Sequence, residues 1–475
     1  MTDPQRDLRR VVDDCVHCGF CLTACPTYQL WGEEMDSPRG RIHLIGQILD
    51  GANASPAAAE HLDRCLGCMA CVPACPSGVR YDRLIEAARS WALEPLVGEA
   101  VAGEPDFAEP MRAEPLRPES ARPEPVRAEP ARAEPRRPLP PRSRRERALR
   151  AAIFATFPYP ARLRLLLGPL RAAQVTHADR LVQRGRAADR IAPELAAALR
   201  VAPGRATRRD PRGRLPERVG ATGQRRAVVG MLTGCVQQVF FPRVNAATAR
   251  VLASEGCDVI IPASQGCCGA LSLHDGRRVE AARFARRLID TFDRANVDAI
   301  VVNSAGCGSA MKEYADLLDG DPPWAARAAE MSAKVADFSE FLAELGPAAT
   351  RHPLRATVAY HDACHLAHAQ RVTRQPRELL TEIPGLVLAE LADAGMCCGS
   401  AGIYNLVQPE AAQQLGARKA AAVTATGADV VVSGNPGCTL QIASALHAAG
   451  TPTPVAHIAE VLDASLSGRP VGSLF

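Results

Sequence analysis

The arrangement of the cysteines constrains this chain more than any other feature of its sequence. Seventeen cysteines occur among 475 residues, eight of them within residues 15–75 and nine within residues 235–438. The number is odd, and the first residues, MTDPQRDLRRVVDD, lack the apolar core of a signal peptide. A disulfide-stapled secreted protein is therefore not expected, because thiols in cytosolic chains more often serve metals or redox chemistry.

Two short runs near the amino terminus repeat one pattern of cysteines. Residues 15–26 read CVHCGFCLTACP and residues 65–76 read CLGCMACVPACP, so both are C-x2-C-x2-C-x3-C-P. This is the ligand spacing of bacterial two-cluster ferredoxins, in which the fourth cysteine of each run binds the cluster of the other run. The runs therefore predict two [4Fe-4S] clusters. The expected ligands are Cys15, Cys18, Cys21 and Cys75 for the first cluster, and Cys65, Cys68, Cys71 and Cys25 for the second.

Structural zinc is the main alternative for these two runs. Zinc prefers four ligands in a tetrahedron, usually from two separated C-x2-C pairs, and a triple followed by Cys-Pro fits that poorly. Two linked clusters conduct single electrons and do not by themselves transform a substrate. Neither a G-x-G-x-x-G after a strand nor a G-x-x-x-x-G-K-[ST] is present, so the flavin or other two-electron centre is expected on another subunit.

Charge and hydropathy exclude two further classes of protein. The 56 basic and 52 acidic residues give a net charge of +4, too small to indicate nucleic acid as the main partner. No run of 18 apolar residues occurs, so a membrane-spanning helix is not expected. We expect a cytoplasmic protein, with peripheral contact at the inner face of the cell membrane as an alternative.

The cysteine-free middle of the chain contains a biased segment and a helical one. Residues 96–146 repeat phrases such as AEPARAEPRRP, in which proline prevents helix propagation and alternating Glu and Arg leave nothing apolar to bury. We interpret this segment as a disordered linker; a recognition site for a proline-binding partner is the alternative. Residues 147–222 are expected to form a helical connector and a second polar linker.

The last part of the chain contains an internal duplication. One copy has single cysteines in VVGMLTGC and VDAIVVNSAGC around a Cys-Cys-Gly, and the other has them in TVAYHDAC and ADVVVSGNPGC around a second Cys-Cys-Gly. The first cysteine and the pair are separated by 31 and 32 residues in the two copies, and the pair and the last cysteine by 38 and 39. Each β-branched run ends in a cysteine loop and is followed by a helical stretch. This predicts two α/β domains with largely parallel strands, over residues 223–346 and 352–475.

The expected fold class is therefore an α+β multidomain protein. A helical, two-cluster ferredoxin-like domain over residues 1–95 precedes the Pro-rich linker, the helical segment and the duplicated α/β cysteine-rich domain. Because loops at the carboxyl ends of parallel strands collect at one edge of a sheet, each set of cysteines is expected to meet there. The candidate metal ligands are Cys235, Cys267, Cys268 and Cys307 in the first copy, and Cys364, Cys397, Cys398 and Cys438 in the second.

The chemistry of these two sets stays open at the level of sequence. Four thiolates could hold zinc or an iron–sulfur centre, or supply a redox dithiol, and buried cysteines that act as small apolar residues are the alternative. Cys257 has no counterpart in the second copy and is interpreted as a core residue. His361 and His365 flank Cys364 and could add ligands or relay protons.

Together these motifs resemble the family of glycolate oxidase iron–sulfur subunits. The wider family includes heterodisulfide reductase subunits and the iron–sulfur subunit of anaerobic glycerol-3-phosphate dehydrogenase. The resemblance covers roughly residues 10–92 and 225–460. It rests on CVHCGFCLTACPTYQLWGEEMDSPRGRIHLIGQIL, EHLDRCLGCMACVPACPSGVRYD, NAATARVL, GCCGA, GCG, KEY and CCGSAGIY.

The resemblance implies an oxidoreductase complex that oxidises glycolate to glyoxylate, with FAD and substrate on partner dehydrogenase subunits. This chain would pass electrons singly from the flavin to a quinone or another acceptor, and would not oxidise glycolate alone. A related dehydrogenase for D-lactate or glycerol 3-phosphate, a thiol or disulfide reductase, and a zinc-stiffened assembly platform are the alternatives. In heterodisulfide reductase relatives the last cysteine continues as C-x-x-C, whereas Ala310 and Gln441 stand at those positions here. This departure argues against the relatives' unusual cluster and against direct disulfide chemistry.

Overall fold

The computed structural model describes residues 4–52, 55–91, 142–176, 193–203 and 215–474. The segment predicted to be a Pro-rich linker lies outside these residues up to position 141, as does the part of the second polar linker between residues 204 and 214. Among the described residues, no helix is both long enough and apolar enough to cross a membrane.

The amino-terminal part, up to residue 91, is helical wherever its described residues form regular secondary structure. Its helices are α1 (Pro4–Asp13), α2 (Phe20–Ala24), α3 (Pro26–Trp31), α4 (Pro38–Leu49), α5 (Pro56–Asp63) and α6 (Tyr81–Trp91), with a 3-10 turn at Glu34–Asp36. Proline occupies the first position of α3, α4 and α5, where its missing N–H is not needed. Ser37 and Ser55 cap α4 and α5 by accepting a backbone N–H at 3.0 and 3.1 Å. The expectation of a helical cluster domain is confirmed.

Four helices of the connector are described: α7 (Arg144–Thr156), α8 (Pro160–Leu165), α9 (Leu167–Val175) and α10 (Pro193–Arg200). Phe154 of α7 is buried in an apolar cluster with Leu406 of the second cysteine-rich repeat. Arg142, just before α7, forms an ion pair of 2.8 Å with Asp63 of the cluster domain. The start of the connector therefore contacts both the cluster domain and the second repeat.

The duplicated part contains two sheets of matching topology. The first has the order β1-β3-β2-β4-β5 and the second β7-β6-β8-β9. All neighbouring strands are parallel except β1, which adds antiparallel to β3. The strands are β1 (Arg218–Val219), β2 (Ala227–Leu232), β3 (Cys257–Ile260), β4 (Ala299–Val302), β5 (Val335–Asp337), β6 (Ala356–His361), β7 (Leu386–Ala389), β8 (Val430–Ser433) and β9 (Val455–His457). The predicted duplicated α/β fold is confirmed.

Helices follow the strands in both repeats. The first repeat has α11 (Val236–Phe240), α12 (Pro242–Ser254), α13 (Ala270–His274), α14 (Arg278–Ala295), α15 (Ala305–Lys312), α16 (Tyr314–Leu317), α17 (Pro322–Lys334) and α18 (Phe338–Leu345). The second has a π-helical turn (His365–Ala369), α19 (Arg374–Thr381), α20 (Tyr404–Val407), α21 (Pro409–Thr426), α22 (Pro436–Ala448), α23 (Ile458–Leu466) and a 3-10 turn (Val471–Leu474). Capping boxes begin α18 at Asp337 and α23 at His457, at equivalent positions.

The two repeats share one hydrophobic core. Val229 of β2 and Val358 of β6 belong to the same cluster of buried residues, although they come from different sheets. Helix α12 packs against α23, and Arg250 of α12 forms an ion pair of 2.8 Å with Asp463 of α23. The cysteine loops of the two repeats are therefore held in a fixed relation to each other.

The cluster domain is docked on both repeats. Arg89 of α6 donates a hydrogen bond of 2.8 Å to the carbonyl oxygen of His274 in the first repeat. At Gly276 a Cβ atom would lie only 2.5 Å from the carbonyl carbon of Arg89, so the two backbones approach closely. On the other side, Tyr404 of the second repeat donates a hydrogen bond of 3.1 Å to the carbonyl oxygen of Arg64.

Four acidic side chains meet where α6 faces the first repeat. Burial, together with the negative charges of Glu86 and Asp82, raises the pKa of Glu313 to about 8. Burial and the charge of Asp82 likewise raise the pKa of Glu86 to about 7. Arg80 faces the group and lowers the pKa of both carboxyls, and Asp316 raises that of Glu313 further. The protonated form of Glu313 is therefore favoured in the folded chain.

We expect Glu313→Gln to stabilise the folded chain at alkaline pH and to leave it nearly unchanged near pH 5. A carboxyl whose pKa is raised in the folded chain contributes its full stabilisation below its ordinary pKa of 4.5. This stabilisation is lost as the pH rises through about 8. Glutamine remains neutral throughout, and a pKa difference of one between the folded and unfolded chain corresponds to about 1.4 kcal/mol. Denaturant unfolding at about pH 5 and about pH 9 should show a gain on the order of 1 kcal/mol or more only at the higher pH. Asp319→Asn, at an exposed position outside this group, is the control, and an equal gain at both pH values would contradict the prediction.

Candidate metal and cluster sites

The first predicted ligand set surrounds a cavity that opens to the surface. Cys15, Cys18, Cys21 and Cys75 all line this cavity, and Cys71 of the other set lines it too. Cys18 is exposed, whereas the other three members are half-buried. Beside them, the apolar side chains of Val16 and Phe20 are 69% and 66% exposed. The structure thus brings the predicted fourth cysteine, from the second run, to the cysteines of the first run.

The two cysteine runs have the same loop conformation despite different residues. His17 and Gly67, each two residues after the first cysteine of its run, have φ values of 55° and 66°. Gly19 and Met69, each directly after the second cysteine, have φ values of 84° and 60°. Left-handed residues turn backbone amides inward and form anion-binding concavities of the kind found around iron–sulfur clusters. The Gly67 amide, for example, donates to the sulfur of Cys65 at 3.3 Å.

The second predicted set is buried. Its members are Cys65, Cys68, Cys71 and Cys25, and each is at most 8% exposed. Cys25 acts electrostatically on Cys68 and Cys71 of the second run, and also on Cys21 of its own run. Cys25 is held by Thr27, whose hydroxyl lies 3.2 Å from its sulfur. By exposure the eight thiols divide into four that are buried and four that are not, and the assignment of each group to one cluster stays a prediction.

Two buried arginines surround the second set. Arg41 of α4 is fully buried, donates to the carbonyl oxygen of His61 at 2.6 Å and pairs with Asp36 at 3.2 Å. Arg89 of α6 donates to the carbonyl oxygen of Cys65. Burial alone would raise the pKa of Cys65, but the two guanidinium groups, with a phenol hydrogen bond from Tyr81 and the nearby backbone amide, lower it below the usual value. At Cys65, therefore, the surroundings favour the thiolate form.

The cysteines of each repeat meet at the carboxyl edge of its sheet. In the first repeat the loops after β2 and β3 carry Cys235 and the pair Cys267 and Cys268, and the first turn of α15, after β4, carries Cys307. In the second repeat the loops after β6 and β7 carry Cys364 and the pair Cys397 and Cys398, and the first turn of α22, after β8, carries Cys438. All eight side chains are buried except that of Cys307, which is half-buried. Cys257, by contrast, lies in the apolar core of the first sheet.

The thiols of each set influence the ionisation of their neighbours. Contacts with Cys235 and Cys268 raise the pKa of Cys267 far above its usual value, whereas hydrogen bonds from Cys267 and Cys307 lower that of Cys268. In the second repeat, contact with Cys397 and burial raise the pKa of Cys364. Such groups cannot all ionise in a buried place without a compensating cation. Each set could therefore hold a metal centre.

The glycine after each cysteine pair fixes the loop. Gly269 and Gly399 have φ values of 83° and 91°, which L-residues rarely adopt. Their amides donate to the sulfur atoms of Cys267 and Cys397 at 3.3 and 3.5 Å. The Cys-Cys-Gly sequence thus encodes a turn in which the backbone itself points at the first sulfur of the pair.

The buried amino-terminal set lies directly against the second repeat. Cys68 and Ala70 pack in one buried cluster with Cys364 and Cys397. Burial and the negative potential of Cys364 raise the pKa of Cys68 well above its usual value. The first repeat is linked to this junction by two histidines, because the rings of His274 and His365 are 4.7 Å apart. Three of the four cysteine sets, namely the buried amino-terminal set and the sets of the two repeats, therefore lie around one region of the structure.

The sequence of the chain matches known families along most of its length. It matches the 4Fe-4S dicluster domain over residues 11–79, the cysteine-rich domain over residues 229–312 and 358–443, and the linker region of the glycolate oxidase iron-sulfur subunit over residues 145–202. It is 34% identical over 459 residues to the probable glycolate oxidase iron-sulfur subunit of Bacillus subtilis, covering 94% of this chain and 93% of that protein. The chain belongs to the family of glycolate oxidase iron–sulfur subunits.

Other relatives are similar to this chain over different lengths. The glycolate oxidase iron-sulfur subunit of Escherichia coli is 34% identical over 457 residues, with 95% of this chain and 93% of that protein covered. Lactate utilization protein A of an Exiguobacterium species is 32% identical over 238 residues, which is 50% of this chain and 96% of that protein. A hypothetical protein from Helicobacter pylori aligns with a TM-score of 0.40 at 10% identity, over 50% of this chain and 49% of that one.

Sequence reasoning missed the charged residues that surround the cysteines of this family member. The sequence does contain a signal for Arg41, because this residue occupies the same face of α4 as Ile45 and Ile48, where an apolar residue is expected. Arg89 and His274 carry none, since their contact joins segments 185 positions apart. Of the two histidines that flank Cys364 in sequence, His361 is buried and His365 is half-buried, and both lie beside the cysteines of the second repeat.

Proposed function

We propose that this chain is the iron–sulfur electron-transfer subunit of a flavin-dependent glycolate dehydrogenase complex. The complex oxidises glycolate to glyoxylate with FAD on a partner subunit, and the electrons reach a quinone or another acceptor through this chain. The main support is the grouping of the eight amino-terminal thiols into one set at the surface and one buried against the second repeat. Family membership supports the substrate, because the relatives in Bacillus subtilis and Escherichia coli are named glycolate oxidase subunits.

The donor sets fit two [4Fe-4S] clusters with exchanged fourth ligands. When bound, such clusters supply single-electron transfer, which divides the two electrons of a flavin into separate steps. We assign Cys15, Cys18, Cys21 and Cys75 to the first cluster and Cys65, Cys68, Cys71 and Cys25 to the second, and each Cys-Cys-Gly set to a further metal centre. Beside Cys65 of the second set, Arg41 and Arg89 favour negative charge, which supports a role of this cluster in receiving an electron.

The exposed edge of the first set is the proposed contact with the flavin-bearing subunit. Electron transfer requires the two redox centres to lie close together, and Cys18 is the exposed member of its set. Phe20, on α2, is a large apolar side chain that is 66% exposed beside this edge. Aromatic side chains at the centre of an interface often contribute most of the binding energy. The surface around Phe20 is therefore suited to bind a partner.

We expect Phe20→Asp to weaken transfer from the flavin-bearing subunit by about tenfold or more, since about 1.4 kcal/mol of lost binding is tenfold. The native complex should be isolated anaerobically through a tag on this chain, and its co-purified flavoprotein identified. Glycolate should then reduce the clusters, as followed by electron paramagnetic resonance (EPR). Val279→Asp is the matched control, because Val279 is 75% exposed on the first repeat and does not line the cavity of the first set.

Two outcomes of this experiment would contradict the proposal. Anaerobically purified chain without acid-labile sulfide, and without an EPR signal after reduction, would exclude the clusters. A co-purified flavoprotein that oxidises another alcohol and not glycolate would exclude the substrate. Unchanged transfer in Phe20→Asp with intact EPR signals would exclude only the proposed contact.

Lactate is the second candidate substrate of the complex. The observation that favours it is the similarity of half of this chain to lactate utilization protein A. Assays of the isolated complex with glycolate, D-lactate and glycerol 3-phosphate distinguish these substrates. A thiol or disulfide reductase is less well supported, because Cys267, Cys268, Cys397 and Cys398 are each at most 3% exposed and cannot meet a bulky disulfide directly.

A further inference from the structure

The burial of His361 is energetically unfavourable unless its imidazole binds a ligand. It ends strand β6, its side chain is 0% exposed, and neither ring nitrogen has a hydrogen-bond partner among the described residues. An unpaired polar group in the interior costs about 1–3 kcal/mol, so such groups are rare in folded proteins. The other buried histidine at a strand end, His457, uses both of its nitrogens, one of them 2.9 Å from the carbonyl oxygen of Asn303.

The first repeat shows that the fold does not need a histidine at this place. The equivalent residue is Leu232, at the end of β2, and its neighbour on β4 in the strand register is Val302. In the second repeat the same pair is His361 on β6 and Ser433 on β8. Ser433 is also 0% exposed, and its hydroxyl also has no partner among the described residues. The second repeat thus has two unpaired polar side chains where the first repeat has two apolar ones. This difference indicates that a ligand binds there.

The side chains that face His361 are thiols. A nitrogen of His361 and the sulfur atoms of Cys398 and Cys438 all lie within 4.8 Å of one another. Metal–nitrogen and metal–sulfur bonds of about 2.0 and 2.3 Å require ligand atoms at such separations in a tetrahedral site. Imidazole and thiolate are ligands that zinc and iron accept together.

The charges around the site match a divalent ion. Two thiolates and a neutral imidazole around such an ion give no net charge, which allows the group to be buried. The side chain of Lys419 is 2% exposed. It lies close enough to Cys397, Cys398 and Cys438 for these thiols to influence its pKa. Its ammonium group would balance a third thiolate, for which Cys397 is placed next to Cys398.

We propose that His361 is a metal ligand, and that the second repeat holds a zinc or ferrous ion between His361, Cys398 and Cys438. This inference rests on the assignment of a metal centre to each Cys-Cys-Gly set. The first repeat has Leu232 at the equivalent position, so no imidazole stands there. The two repeats therefore carry centres of different ligation and different redox and binding properties, although their folds match.

The test compares three variants of the full-length chain, purified anaerobically. His361→Leu, which copies the first repeat, is expected to lose about one zinc or iron ion per chain, and His361→Cys to retain it. His368→Leu is the control, because His368 lies in the same repeat and its Nε2 already lies 2.8 Å from the carbonyl oxygen of Gly395. Elemental analysis separates zinc from iron, and Co²⁺ substitution should give an absorption band that differs between wild type and His361→Cys.

The inference and the proposed function fail in different ways. Unchanged metal content and an unchanged cobalt spectrum in His361→Leu would overturn the metal ligand, even if the chain remains folded. Thermal unfolding of the metal-depleted chains adds a second readout, since His361→Leu should then be at least as stable as wild type. The EPR signals of the amino-terminal clusters should be equal in all variants, and their absence from the wild-type chain would contradict the proposed function instead.

Discussion

Replacing Cys75 by serine is expected to remove the first cluster and to leave the second in place. Cys75 belongs to the second run in sequence, but it lines the cavity formed by the cysteines of the first run. Loss of one thiolate from an exposed four-thiolate site removes the cluster or converts it to a labile form. Iron and acid-labile sulfide should fall by about half, from roughly eight to roughly four atoms of each per chain.

The reciprocal variant makes this prediction specific. Cys25→Ser should remove the buried cluster, because Cys25 is buried like the cysteines of the second run. EPR after reduction shows whether one or two clusters remain. In either variant, the signal of two interacting clusters should change to that of a single cluster. Electron transfer from the flavoprotein should be lost in both. If each run held its own metal, Cys75→Ser would damage the buried site, and the assignment of exchanged ligands would be wrong.

The sequence predicts the parts of this molecule that depend on local spacing. The two C-x2-C-x2-C-x3-C-P runs predict the loops that carry the thiols, and the alternation of β-branched runs with helical stretches predicts two parallel sheets. The duplication even predicts that Cys235 and Cys364 occupy matching edges, because both directly follow the first strand of the repeat. Each of these inferences uses residues that are close in sequence.

The contacts between the parts could not be predicted in the same way. Nothing local indicates that Cys68 lies against Cys364 and Cys397, since the linker, the connector and the first repeat lie between these segments in sequence. Arg89 contacts the first repeat at the carbonyl oxygen of His274, far away in sequence. The unusual burial of His361 is visible only when its unpaired nitrogens are compared with Leu232 in the other sheet. These features depend on docking, which a linear pattern does not encode.

Gly399→Ala is expected to be the most damaging single methyl addition in the second repeat. Gly399 has φ of 91°, and a Cβ atom there would lie 2.6 Å from the carbonyl oxygen of Ala412 in α21. That oxygen belongs to helix backbone that is buried against the loop, so it cannot move away without shifting α21. The residue is therefore strained both by its backbone conformation and by the lack of space.

The expected loss of unfolding free energy is about 3 kcal/mol, measured by denaturant unfolding of the full-length chain. The amide of Gly399 also donates to the sulfur of Cys397, so displacement of the loop should lower the metal content of the second repeat as well. Gly427→Ala is the matched control, because Gly427 has φ of 63° but no atom within 4 Å of the added Cβ. It should lose only about 1 kcal/mol, from backbone strain alone, and keep its metal. Equal losses in the two variants would show that the contact with Ala412 does not fix the Cys-Cys-Gly turn, because the steric clash would then add nothing to the strain that both glycines share.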